Sequence, residues 1–242
     1  MLPVLEWCDI PAGNVTISYR IFQGIVDHVP QYLEEQRTFW VESFRMGKYP
    51  ITNAQYQLFI EAPNGYSNAV WWDYSLFAQD WHAQNAHPST PSFPGDDLPR
   101  PASWHDAMAF CRWLSSETQL SITLPTEQEW QHAGQGDDGR LYPWGNDFEH
   151  GRCNYESRRP RPVTHYPNGV SPYGVFDMVG NVEEWCLTEY YTGTDGDLLT
   201  DAMRVCRGGW FMYGALGVCL DQRGGAGPDY ERDFVGFRVV CH

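Results

Sequence analysis

The apolar positions of this 242-residue chain fall into a few short periodic segments, separated by long stretches with no period at all. Three segments predict helices, each behind a start signal. Thr52 precedes Asn53-Ala-Gln-Tyr-Gln-Leu-Phe-Ile, which places Tyr56, Phe59 and Ile60 on one face. Ser103 and Asp106 have capping-box spacing, ahead of a stripe of Ala107, Phe110, Cys111 and Leu114. Thr126 and Glu129 form a second box that closes on Trp130, and Pro125 ends a short strand expected at 121–124. Further extended runs are expected at 15–19, 37–44, 204–207 and 236–240. Residues 62–101 and 131–175 are turn-rich and aperiodic, and irregular stretches of that length usually carry function. No repeat or linker divides the chain. The pattern predicts one loop-rich α+β domain over 1–242.

Charge narrows the partners. Sixteen basic against thirty-one acidic residues leave a formal net charge of −15, which disfavours nucleic acid and anionic membrane. Eleven Trp, fourteen Tyr and twelve Phe in a chain 42% hydrophobic exclude disorder. No run approaches the roughly 18 apolar residues that span a bilayer. The first seven residues lack a charged stretch and an apolar run, so no secretory signal is expected. The seven cysteines are scattered without a CxxC pair, which predicts buried thiols in a reducing, cytoplasmic setting. The eight histidines show no HExxH, and phosphate-loop and GxSxG motifs are absent. A monomer is expected, either alone or as part of a longer multidomain protein.

A set of motifs then occurs in order from about residue 37 to the C-terminus. They are Lys48-Tyr-Pro-Ile-Thr-Asn-Ala-Gln-Tyr, Arg100-Pro-Ala-Ser-Trp-His-Asp-Ala with Phe110-Cys-Arg-Trp-Leu, Leu124-Pro-Thr-Glu-Gln-Glu-Trp, Tyr142-Pro-Trp-Gly-Asn, Ser171-Pro-Tyr-Gly-Val-Phe-Asp-Met-Val-Gly-Asn-Val-Glu-Glu-Trp, Arg207-Gly-Gly and Val235-Gly-Phe-Arg-Val. Together they resemble the formylglycine-generating enzyme (sulfatase-modifying factor) family. The resemblance implies an elaborated C-type-lectin-like fold of α+β class, with small antiparallel sheets, a few helices and much irregular chain.

It also implies where cofactors would sit. Aligned on Gly208-Gly209, the family's two copper cysteines fall at Tyr213 and Val218, with Cys219 one residue off the second. A single thiolate does not make a soft two-sulfur Cu(I) site, so no copper is expected. Copper-dependent oxidation of a cysteine peptide is the alternative reading. The histidine-bearing domain of the related iron-dependent sulfoxide synthases is missing from this chain. The family's structural calcium would take the side chains of Asp177 and Glu184 and the carbonyls of Gly180 and Val182, hard oxygen donors for a hard cation. The competing reading is that both carboxylates cap a turn, with Trp185 as core. A second calcium would need Asn154, Tyr155 and an acidic loop that this chain lacks.

The segment 204–240 keeps the family's frame at Arg207-Gly-Gly, Arg223, Pro228-Asp-Tyr, Arg232 and Gly236-Phe-Arg, while its filling is apolar and small. In this it resembles the variable proteins of diversity-generating retroelements, which display a randomised surface on the same fold. Their mutagenesis acts at adenines of AAC or AAT codons and does not produce Trp, Met, Gln, Glu or Lys there. The nine residues from Tyr213 to Asp221 contain none of these. The segment also has the amphipathic makeup of a binding patch. The candidate ligand-binding residues are Phe211, Tyr213, Ala215, Leu216, Gly217, Cys219, Asp221, Gly225, Gly227, Tyr230, Arg232, Asp233 and Phe234. Phe211 and Trp210 are equally readable as core. A non-catalytic domain that binds a protein or peptide ligand is the expected function, ahead of an enzyme or an assembly module.

Overall fold

A computed structural model describes the backbone of residues 1–26, 29–195 and 198–242, and within it the side chains outside 20–30 and 32. The chain begins with β1 (Trp7–Ile10), a long hairpin of β2 (Gly13–Val26) and β3 (Val29–Val41), and β4 (Phe44–Gly47). Then come α1 (Asn53–Glu61), a 3-10 turn at Ala69–Trp72, α2 (Leu76–Gln84), α3 (Trp104–Thr118), β5 (Ile122–Thr123) and α4 (Glu127–Gln135). Irregular chain leads to β6 (Glu183–Glu189), β7 (Arg204–Arg207), a 3-10 turn at Ala215–Gly217, β8 (Arg223–Ala226), β9 (Val235–Gly236) and β10 (Val240–Cys241). None of the helices is long and apolar enough to cross a membrane, among the described residues.

The expected caps form. Thr52, Ser103 and Thr126 each accept the third amide of their helix, and the side chain three residues on returns to the cap's own N–H. The sequence pattern misses α2, capped by Ser75. Of its nine residues only Ala78 is buried, so it has no apolar stripe for periodicity to detect. The run expected at 37–44 is the end of β3 and the start of β4, and the run at 236–240 divides between β9 and β10.

One sheet has the order β1-β4-β10-β5 and is antiparallel throughout, so its C-terminal strand joins elements from the first half of the chain. The other has the order β8-β7-β6-β9, antiparallel except where β9 runs alongside β6. Two cores flank them. In the first, α1 and α3 press Tyr56, Phe59, Phe110 and Trp113 together against Phe237 and Trp185. In the second, Trp130 of α4 meets Met178, Cys186, Val205, Val218 and Leu220.

Buried charges tie the sheets to α4. Glu184 on β6 is fully buried; Arg238 donates to both its oxygens at 2.6 Å, and the Trp130 indole adds a bond of 2.7 Å. Glu127, at the start of α4, accepts from Arg207 at 3.0 Å and from Arg223 at 2.8 and 3.1 Å. Arg207, Arg223 and Arg238 are therefore struts on buried carboxylates, whereas the fourth frame arginine, Arg232, is exposed.

Candidate functional site

Across one face of the second sheet, reaching from β8 to β9, lies a cleft of about 460 Å³. Its floor is Gly224-Gly225-Ala226-Gly227, almost without side chains. A Cβ on Gly225 would lie 2.4 Å from the Tyr190 ring, so the floor is backed by an aromatic and admits nothing larger than glycine there. The walls are aromatic. Trp210 stacks on Phe234 with ring centroids 4.1 Å apart, Tyr213 leans on Trp210 at 5.5 Å, and Tyr230 stands 6.3 Å from Phe234. Glu183, Cys206 and Val235, all buried, complete the lining.

Local backbone explains how these rings are presented. Gly208 and Gly209 both have positive φ, and a Cβ on Gly209 would meet the Gly217 carbonyl at 2.2 Å. The chain leaving β7 therefore doubles back tightly and delivers Trp210 and Tyr213 to one wall. The Phe234 carbonyl accepts the Glu183 N–H at 2.8 Å, which holds Phe234 to β6 with its ring stacked on Trp210 in the same wall. Glu183 and Glu184 are neighbours on that strand, so they point to opposite faces. Glu184 goes to the arginine strut and Glu183 to the cleft.

Glu183 is only 9% exposed, and the Tyr213 hydroxyl donates to it. Burial pushes its carboxyl up to about 7, because it has no cationic partner among the described residues. Cys206 is the one cysteine on the cleft wall, and burial raises its thiol well above the ordinary range. A thiol so held is a poor nucleophile and a poor metal ligand.

The sequence-predicted residues separate into groups. Tyr213, Gly225, Gly227, Tyr230 and Phe234 line the cleft together. Ala215, Leu216, Gly217, Cys219 and Asp221 belong to the turn outside it, where Leu216 is 92% exposed while Val218 and Leu220 anchor the turn in the second core. Arg232 and Asp233 line a smaller hollow of about 210 Å³ facing the 89–91 loop. Phe211 is a correction: it is 3% exposed and its ring meets Phe93 edge-on, so it supports the wall from behind and offers no binding surface. Glu183, Cys206, Trp210, Gly224, Ala226 and Val235 are the lining residues outside the predicted set. The strand alternation at Glu183-Glu184 was the available signal for the first.

The turn at 177–184 does not assemble the expected calcium ligands. Glu184 is committed to Arg238 and Trp130, so it caps an internal strut, which corrects its reading as a metal ligand. Asp177 accepts from the Asn181 side chain at 3.0 Å, and burial lifts its carboxyl to about 7. Asn181 also bonds the Arg161 backbone in both directions and receives Asn154. A Cβ on Gly180, whose φ is +73°, would lie 2.4 Å from the Asn154 carbonyl. The turn is thus closed by amides and a guanidinium. Among the described residues no group of three or more His, Cys, Asp or Glu side chains is placed to hold a metal, and with Glu184 occupied the set Asp177, Gly180, Val182 and Glu184 does not fit a calcium ion.

The cleft, the buried frame arginines and the mixed sheets can now be set beside known proteins. Residues 5–242 match the family model described as "Sulfatase-modifying factor enzyme 1-like domain". The chain belongs to that family. This sulfatase-modifying-factor-like domain is 29% identical over 250 residues to the inactive C-alpha-formylglycine-generating enzyme 2 of Mus musculus, covering 84% of the chain and 77% of that protein. It is 35% identical over 157 residues to the Bos taurus protein of the same name, covering 57% of the chain and 48% of that protein. It is 32% identical over 182 residues to the hercynine oxygenase of Mycolicibacterium smegmatis, covering 64% of the chain and 40% of that protein. The chain thus spans about half the length of the bovine relative and less of the oxygenase. Among solved structures, Treponema denticola variable protein 1 superposes with a TM-score of 0.67 at 20% identity, covering 97% and 94% of the two chains. PvdO from Pseudomonas aeruginosa gives 0.66 at 17% identity, covering 98% and 94%. The domain has the elaborated C-type-lectin-like fold of α+β class. Relatives named as inactive and as an oxygenase share it, so the fold leaves the chemistry open.

Proposed function

We propose that this domain is a non-catalytic binding module whose aromatic cleft takes a protein or peptide segment. The observation that carries the reading is the cleft itself: four aromatic rings and a glycine floor gathered on one face of the sheet, with Cys206 the single thiol of the lining. Aromatic walls supply contact area at low entropic cost, and a floor of glycines lets a ligand backbone approach. The two family copper positions hold Tyr213, which is a wall of the cleft, and Val218, which is buried in the second core. The likeness to a variable protein supports a display role, in which the exposed Tyr213–Asp221 turn is the diversified element. A near-copy of the coding segment beside a reverse-transcriptase gene, differing only at adenines, is the expected companion. The cysteines, all unpaired and six of them buried, support a reducing compartment.

The test is a selection of peptide binders from a random library, repeated with F234A and L216A. Peptides that require Phe234 and ignore Leu216 support the cleft as the site. A binder set indifferent to Phe234 removes that support. Formylglycine formed in a sulfatase-type cysteine peptide in the presence of Cu(I), read by mass spectrometry, overturns the non-catalytic reading.

A further inference from the structure

Three features of charge converge on the cleft. Its base carries Glu183, a nine-tenths buried carboxylate with a tyrosine hydroxyl but no cation for company. Its lining includes no lysine or arginine. At Gly227 it meets a second hollow of about 350 Å³, where Asp80, Asp201 and Asp229 stand around Trp81 and His105, again without a lysine or arginine. The three aspartates are exposed, and the chain as a whole carries a net charge of −15. At the cleft's rim the Arg232 guanidinium already lies over the Tyr230 ring, 4.8 Å from its centroid, so the wall accepts a planar cation on at least one face.

We propose that the cleft recognises a cationic side chain, a lysine or arginine of a peptide segment, by pairing it with Glu183 beside the aromatic cluster. The chemistry is complementary on every side. A ring face attracts a cation most when water is excluded, and a buried carboxylate lacking a partner is costly until one arrives. The aspartate hollow beside Gly227 extends the same preference along the bound segment and favours a basic sequence over an isolated residue. An anionic or purely apolar ligand would leave the Glu183 carboxylate unpaired in the complex. The inference rests on the cleft being a binding site and names what that site selects.

The experiment compares four peptides, Ac-Ala-Lys-Ala-NH2, Ac-Ala-Arg-Ala-NH2, and the same frame with norleucine or glutamate, titrated into the intact 242-residue chain. Binding is followed by amide and indole NMR shifts at Trp210, Gly224 and Gly225. The lysine and arginine peptides are expected to bind at least about tenfold more tightly than norleucine, and E183Q should erase that preference without changing norleucine binding. Should E183Q fail to fold, D80N/D201N, which alters two exposed residues, is expected to weaken only the cationic peptides, by about twofold at low salt. Equal affinity for norleucine and lysine overturns the cation assignment while leaving the cleft a binding site. Tighter binding of the glutamate peptide, or no shift with any peptide, overturns it as well. Shifts confined to residues outside the cleft count against both readings.

Discussion

At the scale of single residues, the charged groups of this domain do two kinds of work. Glu184 is inside the protein and spoken for on both oxygens. E184Q would leave the Arg238 guanidinium without its counter-charge, and breaking a buried pair this way costs about 3–5 kcal/mol. Urea unfolding of the variant should show that loss as a lower midpoint. Leu216 is the opposite case: L216A should change stability by no more than about 0.5 kcal/mol, since its side chain touches mainly water. W130A should cost about 3–5 kcal/mol, because the removed ring leaves a cavity in the second core and takes one of the two donors from the Glu184 Oε2 atom. If L216A proved as damaging as W130A, the outer turn would be core and its display role would fail. Within 204–240 the frame arginines Arg207 and Arg238 are buried, whereas Arg232 and Leu216 are exposed.

Elements explain how much was readable beforehand. Three helices announced themselves through a hydroxyl cap, two of them with a carboxylate three positions on that answers it, and the structure adds Gln55 as the answering side chain of the first. Arg204–Arg207 read correctly as a strand, as did the short β5, because a proline or a glycine pair ends each. α2 was invisible because its burial is limited to one alanine. The cleft was half legible. Tyr213, Tyr230 and Phe234 sit in the segment the motifs mark off, but Glu183 comes from a strand far away in sequence, and only the fold brings it under them. The 177–184 turn was legible as special, with calcium binding and turn-capping both open, and the observed hydrogen bonds favour capping. Its charges and left-handed residues, Asp177 at φ +53° and Asn181 at φ +64°, serve hydrogen bonds within the protein. Excess chelator is therefore expected to leave the melting temperature unchanged, since the carboxylates of the turn already have partners within the protein. A drop in melting temperature that added calcium restores would return the metal to this turn.

At the scale of the whole molecule, burial and net charge act together on the dependence of stability on pH. Asp177 and Glu183 are held up to about 7, above their ordinary values near 4, mainly because burial disfavours their charged forms. A carboxyl raised on folding contributes stability that is full below its unfolded pKa and disappears as pH rises through the folded value. Each therefore favours the folded state at pH 4–5 over pH 8, by on the order of 3 kcal/mol. His105 opposes them. Burial lowers it to about 4, against a smaller pull upward from Asp229, and Tyr74 bonds its Nδ1 at 2.9 Å. The unfolded chain binds that proton first, so the histidine's share of stability is complete above about 6.5 and is lost between there and 4. From pH 8 down to about 6.5 the two carboxyls gain protons, His242, raised by its bond to Glu129, adds to the same trend, and the self-repulsion of a chain with net charge −15 eases at the same time. The melting temperature is therefore expected to rise from pH 8 to about 6.5 and then to level as His105 begins to oppose the trend. Calorimetric scans across that range check the shape, and D177N/E183Q should flatten the rise, because those two side chains then have no proton to gain. NMR titration of His105 should place its midpoint below 5. A melting temperature that falls steadily from pH 8 to 6.5 would mean that both carboxyls are paired with cations in solution, contrary to the isolation of Glu183 on which the cleft's preference for a basic ligand depends.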